Sequence, residues 1–178
     1  MKSSEIERLR VSSKDFESGP RFSPGNIYAK FQIRCNGQAN DILVVAKSVL
    51  VTVLENIDTL PPNNDSWGNI LPKMFVSRCG PHPTTEELKK SMMRPIEERV
   101  AEQSTLRWSR QMFVNAFVPE FELRNWQWWH GVVISENEIQ VVVSTDGDFF
   151  TWQSFRWLFI ACGAVDVLVL GSDEEKGG

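Results

Sequence analysis

Apolar and polar positions first alternate strictly in residues 27–34, which read IYAKFQIR. A period of two residues predicts a half-buried β-strand, because successive side chains of a strand point to opposite faces. The apolar row consists of Ile27, Ala29, Phe31 and Ile33. The other row consists of Tyr28, Lys30, Gln32 and Arg34. The turn-forming pair Asn36-Gly37 ends this strand.

A helical pattern follows in residues 40–60, although the many valines there also fit β-structure. Asn40 or Asp41 supplies an N-cap for this helix, and Pro61-Pro62 ends it. We therefore predict one helix, with two strands as the alternative. The apolar residues at helical spacing are Ile42, Val45, Ala46, Val49, Val53 and Ile57.

Residues 82–103 predict a second helix, which begins with a capping box formed by Thr84 and Glu87. Pro95 lies within this segment, so we expect a kink or two helices that meet there. Upstream, KMFVSRC at 73–79 indicates a short strand. The stripe that we expect to be buried consists of Leu88, Met92, Ile96 and Val100.

Strand patterns dominate the last third of the chain. From Arg110 onward the sequence pattern is typical of β-strands, and Pro119 interrupts it. Residues 126–144 predict a β-hairpin with a polar turn. An aromatic helix ended by Gly163 follows, and AVDVLVL at 164–170 is the final strand. The buried face of that helix consists of Trp152, Phe155, Phe159 and Cys162.

This order of elements predicts the fold class. We expect one α+β domain over residues 26–171, with a mixed β-sheet that includes the C-terminal hairpin and about three flanking helices. With 178 residues, the chain is long enough to bury such a core without a metal or disulfide. Residues 1–25 predict a flexible N-terminal arm, and residues 172–178 predict a disordered acidic tail.

Composition indicates the cellular compartment and the class of binding partner that we expect for this protein. The chain has no secretory pattern at its start and no apolar run long enough to span a membrane. Three widely spaced cysteines favour reduced thiols, so we expect a cytoplasmic protein. Residues 1–40 hold seven Lys and Arg against four Asp and Glu, whereas residues 121–178 hold three against nine. The acidic third disfavours nucleic acid and favours a basic protein partner.

The segment RNWQWWHGVV at 124–133 concentrates three tryptophans and one histidine. Both faces of such a strand are aromatic, which indicates a sheet covered on both sides, a partner surface or a platform on which sugars or bases stack. We expect Trp128 or Trp129 to belong to the core. Strand alternation places on one face Trp126, Trp128 and His130, and on the other Gln127 and Trp129.

The candidate partner-binding residues are four carboxylates and three aromatic anchors. Trp67 lies among loop-forming residues and Trp126 opens its strand, so we expect at least one of them to face solvent. The carboxylates lie in two turns at opposite ends of one strand, roughly 25 Å apart. The carboxylates are Glu136, Glu138, Asp146 and Asp148. The aromatic anchors are Trp67, Trp126 and Phe149.

Residues with catalytic or ligand chemistry are few. The Cys79-to-His82 spacing has no second ligand pair, and no glycine-rich phosphate loop is present, so we expect neither a metal nor a cofactor. Arg156 and Asp166 are charges in apolar elements and are expected to pair with each other. The catalytic alternative is a small hydrolytic enzyme built on Asp146, Asp148, Asp166 and His130.

The last third of the chain also carries a class-level resemblance. Its polar-turn hairpin is followed by FTWQSFRWLFIACGAVDVLVL, an aromatic helix that leads into a strand. In an acidic, tryptophan-rich chain, this arrangement resembles bacterial cytoplasmic immunity proteins of polymorphic-toxin and contact-dependent systems. The resemblance implies an inhibitor that binds a cognate toxin domain, not an enzyme, and it transfers no site residue. A phage or accessory structural protein is a further alternative.

Overall fold

Four strands form one sheet in the computed structural model, which describes residues 3–12, 27–105, 107–121, 123–145 and 152–173. Their order across the sheet is β2-β3-β1-β4. The strands are β1 (Ile27–Arg34), β2 (Trp126–Ser135), β3 (Glu138–Thr145) and β4 (Asp166–Asp173).

The α+β class is confirmed, whereas the expected mixed sheet is wrong because all three strand pairings are antiparallel. β3 and β4 run parallel to each other, but β1 lies between them and is antiparallel to both. The predicted hairpin is confirmed as β2 and β3. β4 continues to Asp173, so the expected tail is a strand at residues 172–173, and residues 174–178 lie outside the described part.

The described ranges contain eight α-helices and one short 3₁₀ helix, Pro119–Phe121. None of these helices is long and apolar enough to cross a membrane. The α-helices are α1 (Ser3–Ser12), α2 (Ala39–Asn56), α3 (Trp67–Ile70), α4 (Lys73–Arg78), α5 (Thr85–Met92), α6 (Ile96–Thr105), α7 (Arg110–Asn115) and α8 (Gln153–Ala161).

α2 confirms the prediction of one continuous helix after β1. Its cap differs from the expectation, because the N-cap residue is Gln38 rather than Asn40 or Asp41, and the Gln38 side chain makes no cap bond. Instead, the Ala39 N–H donates to the carbonyl oxygen of Glu136 at 3.1 Å. The β2–β3 turn is thereby tied to the start of α2. The buried stripe of α2 includes Ile42, Ala46, Val49 and Val53.

α2 and α8 cover one face of the sheet, and the main core lies between them and the strands. The ring of Phe155 in α8 lies 4.4 Å from that of Phe31 in β1. Phe159, one turn later, stacks on Trp128 of β2 with an interplanar angle of 23°. Gly163 adopts a φ of +108° just after the helix, as its predicted role requires. The aromatic helix is therefore confirmed.

Two segments with strand-like sequence patterns are the helices α4 and α7. The strand predicted at 73–79 and the extended structure predicted from Arg110 are therefore wrong there. Each is six residues long, which is less than two helical turns and too short for periodicity to separate helix from strand. The rings of Phe75 and Phe113 are both buried and lie 4.9 Å apart. This pairing holds α4 against α7.

α5 and α6 confirm the capping box and the break at Pro95. The Glu87 N–H donates to Thr84 Oγ1 at 3.2 Å, and the Thr84 N–H donates to Glu87 Oε2 at 2.8 Å. The expected burial of the apolar stripe is wrong at three of its positions, and the side chain of Val100 lies outside the described part. The exposed fractions are 44% for Leu88, 73% for Met92 and 62% for Ile96. An amphipathic pattern identifies a face but not what that face contacts.

α1 packs at the outer edge of β2, so the flexible arm expected at residues 1–25 is wrong for residues 3–12. Residues 1–2 and 13–25 lie outside the described part. The Glu7 carboxylate is fully buried and accepts hydrogen bonds from both terminal nitrogens of Arg124, at 2.8 and 2.9 Å. It also accepts from the backbone N–H of Trp128 at 2.7 Å. The sequence gives no local sign of this contact, because its partners lie more than 100 residues away.

Candidate functional site

The two tryptophans proposed as partner anchors are buried, so the expectation that one of them faces solvent is wrong. Trp67 is 0% exposed, and its Nε1–H donates to the carbonyl oxygen of Pro61 at 2.9 Å. Trp126 is 1% exposed, and its Nε1–H donates to Ser154 Oγ at 2.9 Å. Each indole therefore finds a hydrogen-bond acceptor inside the protein, which allows its burial in a polar stretch of sequence.

A β-bulge changes the faces predicted for the aromatic strand. The pairing with β3 shifts between Trp128, which lies opposite Val143, and His130, which lies opposite Val142. His130 consequently belongs to the face opposite that of Trp128, so its predicted placement beside Trp126 and Trp128 is wrong. One extra residue in a strand reverses the alternation for every residue after it. Trp128 and Trp129 are both buried, which confirms the core prediction for this pair.

The face of the sheet turned away from α2 and α8 is closed at one end. Tyr28, Trp129 and Val142 form a small buried cluster there. The Tyr28 and Trp129 rings make an edge contact at 5.0 Å, and the guanidinium of Arg10 in α1 lies 3.8 Å from the centre of the Trp129 ring. A covered sheet therefore explains the aromatic character of this end.

The other end of the same face holds a row of side chains that runs across all four strands. In register these are Val132, Gln140, Gln32 and Leu168. The two outer members, Val132 and Leu168, are 38% and 37% exposed. The row thus presents two amides flanked by two partly exposed aliphatic side chains.

The next row toward the end of the sheet is charged. Glu138 lies opposite Arg34 in β1, and Arg34 lies opposite Asp166 in β4. Glu136 is exposed in the adjoining turn. We name Glu136, Glu138, Arg34 and Asp166 the acidic sheet end. It holds three carboxylates and one guanidinium, so it carries excess negative charge.

The turn that displays Glu136 is held in place by its neighbour Asn137. The Cys35 N–H donates to the carbonyl oxygen of Asn137 at 2.7 Å. The Gly37 N–H donates to the Asn137 side-chain oxygen at 2.8 Å. These bonds and the bond from Ala39 to Glu136 fix the turn against the start of α2. Glu136 is therefore displayed from a turn that backbone and side-chain hydrogen bonds hold in place.

Of the sequence-predicted carboxylates, the structure brings Glu136 and Glu138 together, while Asp146, Asp148 and Phe149 lie outside the described residues. Sequence reasoning missed Asp166 as a neighbour of Glu138. The signal that was needed is the strand order, because only the insertion of β1 between β3 and β4 makes Asp166 continuous with the hairpin turn. The alternation of apolar and polar residues within one strand gives no information about the order of the strands in the sheet.

The catalytic alternative requires His130 and Asp166 to converge, and the structure separates them. His130 lies in β2 and Asp166 in β4, the two outer strands, and their register positions along β1 differ by four residues. Strand spacings of about 4.8 Å and about 3.3 Å per residue put them roughly 19 Å apart. Burial, with a smaller contribution from Lys47, lowers the pKa of His130, which favours the neutral imidazole.

The expected pair of Arg156 and Asp166 is wrong. Asp166 Oδ1 accepts a hydrogen bond from the backbone N–H of the next residue, Val167, at 2.9 Å. Arg34, not Arg156, occupies the position opposite Asp166 in the neighbouring strand. Asp166 thus contacts its own strand and faces β1, whereas Arg156 belongs to α8 on the other side of the sheet.

The described residues contain no group of three or more His, Cys, Asp or Glu side chains that is arranged to hold a metal ion. His82 Nδ1 lies 3.0 Å from Ser109 Oγ, which also caps α7. Burial raises the pKa of the Cys79 thiol to about 11 and also raises the pKa of Cys162. Both thiols are therefore protonated, and neither is activated as a nucleophile or ligand at neutral pH.

A surface pocket of about 310 Å³ lies between α7 and α8. Its walls are mostly apolar, with two amides and one hydroxyl and no charged side chain. Its lining consists of Trp108, Met112, Asn115, Ala116, Leu123, Gln153 and Ser154. The acidic sheet end shares no residue with this lining.

Comparison of the chain with protein-family models, curated proteins and solved structures gives no match. The functional proposal therefore depends on the geometry of the chain itself.

Proposed function

We propose that this chain is a cytoplasmic immunity protein that binds a basic toxin domain through the acidic sheet end and neutralises it. The observation that carries the proposal is the cross-strand row of Glu138, Arg34 and Asp166 beside the fixed turn with Glu136. Three carboxylates and one guanidinium leave a net negative charge at this end of the sheet. Such a field attracts a basic protein and repels the phosphates of nucleic acid.

The apolar part of the proposed interface differs from the one that the sequence predicts. Trp67 and Trp126 are buried and have no surface to offer a partner. Val132 and Leu168, in the row next to the acidic sheet end, supply partly exposed aliphatic surface instead. A partner that covers both rows would contact two aliphatic groups, the two amides between them and the charged row beside them, the mixture of apolar and polar contacts that protein interfaces usually show.

Several properties of the chain fit an inhibitor in a reducing compartment. All three cysteines are free, and Cys35 and Cys162 are buried. The histidine and aspartate of the catalytic alternative lie on opposite outer strands, so they offer no shared site for chemistry. A rigid surface that excludes a toxin's substrate needs no chemistry of its own.

The neighbouring reading frame provides the test. We expect it to encode a large modular protein whose C-terminal domain is basic. The purified domain and this protein should form a one-to-one complex with a nanomolar Kd, and co-expression should abolish the toxicity of the domain in a bacterial host. An unrelated basic protein of similar size serves as the control and should bind at least about a hundredfold more weakly. A domain that remains toxic in the presence of this protein would contradict the proposal.

A further inference from the structure

β4 has the composition of an inner strand but lies at the edge of the sheet. Residues 164–170 read AVDVLVL, a nearly continuous apolar run of the kind found in strands that are covered on both faces. In the structure β4 pairs only with β1 among the described strands. Val167 of β4 is buried in the core, but three apolar side chains of the strand are exposed, at 37% for Leu168, 51% for Val169 and 52% for Leu170. Val165, just before the strand, is 65% exposed.

The opposite edge of the sheet is protected. At β2, α1 packs against the strand, and the Glu7 carboxylate accepts the outward backbone N–H of Trp128. Proteins usually block edge strands in such ways, because an open apolar edge invites another strand to pair. On β4 the first outward N–H, that of Val167, is bonded to the carboxylate of its own neighbour Asp166. The described part of the chain places no helix beyond β4 that corresponds to α1 beyond β2. The two edges of the sheet therefore differ, since a helix covers the β2 edge and none of the described helices covers the β4 edge.

The backbone alternation indicates which groups of β4 are open. The Cys35 N–H donates toward β3, at Asn137, so the backbone groups of the preceding residue, Arg34, face β4. The Arg34 carbonyl oxygen also accepts the N–H of Val165, the residue before β4, at 2.8 Å, so this carbonyl points toward the β4 side. Backbone groups in an antiparallel strand alternate between its two sides.

By the same alternation, Asp166 and Leu168 direct their backbone groups toward β1, and Val167 and Val169 direct theirs outward. The Val167 N–H is bonded to the Asp166 carboxylate rather than to a strand, as an outward position requires. Val169 is then the next outward N–H, and no described strand lies beyond it. The register shift between Val169 and Gly171 follows directly after this position.

We propose that β4 accepts an additional β-strand from the partner, an extended segment with basic residues near its ends. This inference rests on the proposed function and names the contact that the partner makes. Asp166 opens β4 and Asp173 ends it, so an acidic residue stands at each end of the strand. A second copy of the chain would place these acidic ends against each other in either strand direction, whereas a basic segment complements both ends.

The test uses the full chain and a synthetic probe, an eight-residue peptide of alternating Lys and Val with blocked ends. A Glu–Val peptide of equal length is the charge control. Amide shifts and hydrogen-exchange protection by NMR should change along β4 with the Lys–Val peptide and not with the Glu–Val peptide. Main-chain bonds dominate binding by strand addition, so the identity of the apolar residue in the probe matters little.

Two variants separate backbone pairing from side-chain contact. Val169→Pro removes the outward N–H at an edge position that tolerates proline, and it should weaken Lys–Val binding by about tenfold. Val169→Ala removes similar apolar surface but keeps the N–H, and it should retain most of the binding. Circular dichroism and thermal unfolding verify that both variants fold.

Each other result overturns the proposal. Equal weakening by both variants would assign the contact to side chains, and equal binding of both peptides would remove the charge requirement. A concentration-dependent dimer of the free chain that Val169→Pro dissociates would assign the edge to a second copy. Failure of the proposed function is distinguishable: the toxin domain would then not bind, while the Lys–Val peptide would still protect β4.

Discussion

At the scale of single residues, Glu7 anchors α1 by a buried carboxylate that contacts a guanidinium and a backbone amide. Glu7→Ala leaves Arg124, whose side chain is only 12% exposed, without its counter-ion. We expect a loss of about 3–5 kcal/mol in the free energy of unfolding, measured by urea denaturation. We also expect faster hydrogen exchange at the Trp128 amide.

The matched control replaces both members of the pair. Glu7→Leu combined with Arg124→Met removes the buried charges together, and such replacements are often neutral. The double variant should therefore lose much less stability than Glu7→Ala. Equal losses in the two variants would mean that packing of α1, rather than the ion pair, determines the stability of this edge.

Cys79 links stability to alkaline pH. Its pKa is about 11 in the folded protein, against an ordinary value of 9.0, because burial disfavours the thiolate. Above pH 9 the unfolded chain releases this proton while the folded chain keeps it, so the free energy of unfolding falls as the pH rises toward 11. In Cys79→Ala the fall between pH 8 and pH 10.5 should be smaller. Identical pH profiles for the two proteins would contradict this prediction.

The aromatic strand shows what residue-level patterns omit. Alternation predicts that Trp128 or Trp129 is buried, and both are. It fails for His130 because a bulge has no signature in a single strand. It also fails for Trp67 and Trp126, since their burial depends on acceptors at Pro61 and Ser154 that are brought close only by the fold.

At the scale of elements, two helix caps should have different consequences. Thr84 caps α5, which buries no side chain, whereas Ser109 caps α7, which contributes Phe113 and Val114 to the core. Ser109→Ala should lower the free energy of unfolding by about 1–2 kcal/mol. Thr84→Ala should change it by less than about 0.5 kcal/mol and should instead speed hydrogen exchange within α5.

Urea denaturation and amide exchange of the two variants check this contrast. An equal global loss from both substitutions would show that α5 is coupled to the core. Unchanged exchange in α5 after Thr84→Ala would show that the capping box contributes nothing to the helix.

Long elements are the ones that the sequence predicts well. α2, the β2–β3 hairpin and α8 each contain enough residues for their periodicity to be clear. α4 and α7 contain six residues each, and their sequence patterns predict extended structure instead. The stripe on α5 and α6 is correctly placed on one face, but the sequence does not say that this face meets solvent.

At the scale of the whole molecule, the charge asymmetry of the chain is the part of the candidate site that the sequence predicts. Glu136 and Glu138 follow from the acidic last third and the hairpin turn. Asp166, Arg34 and Leu168 do not, because their proximity depends on the strand order β3-β1-β4. The local sequence therefore predicts only part of the site, and the strand order determines the rest.

The central claim, that the acidic sheet end attracts a basic toxin domain, is tested most directly by association kinetics over a salt series. Glu136→Lys with Glu138→Lys reverses two charges at this end, and Glu97→Lys with Glu98→Lys makes the same net change on exposed α6. We predict that the first pair slows association at low salt by about tenfold or more and that the second pair changes it little, with the difference vanishing at high salt. Equal association rates for the two double variants, or rates independent of salt, would contradict the claim.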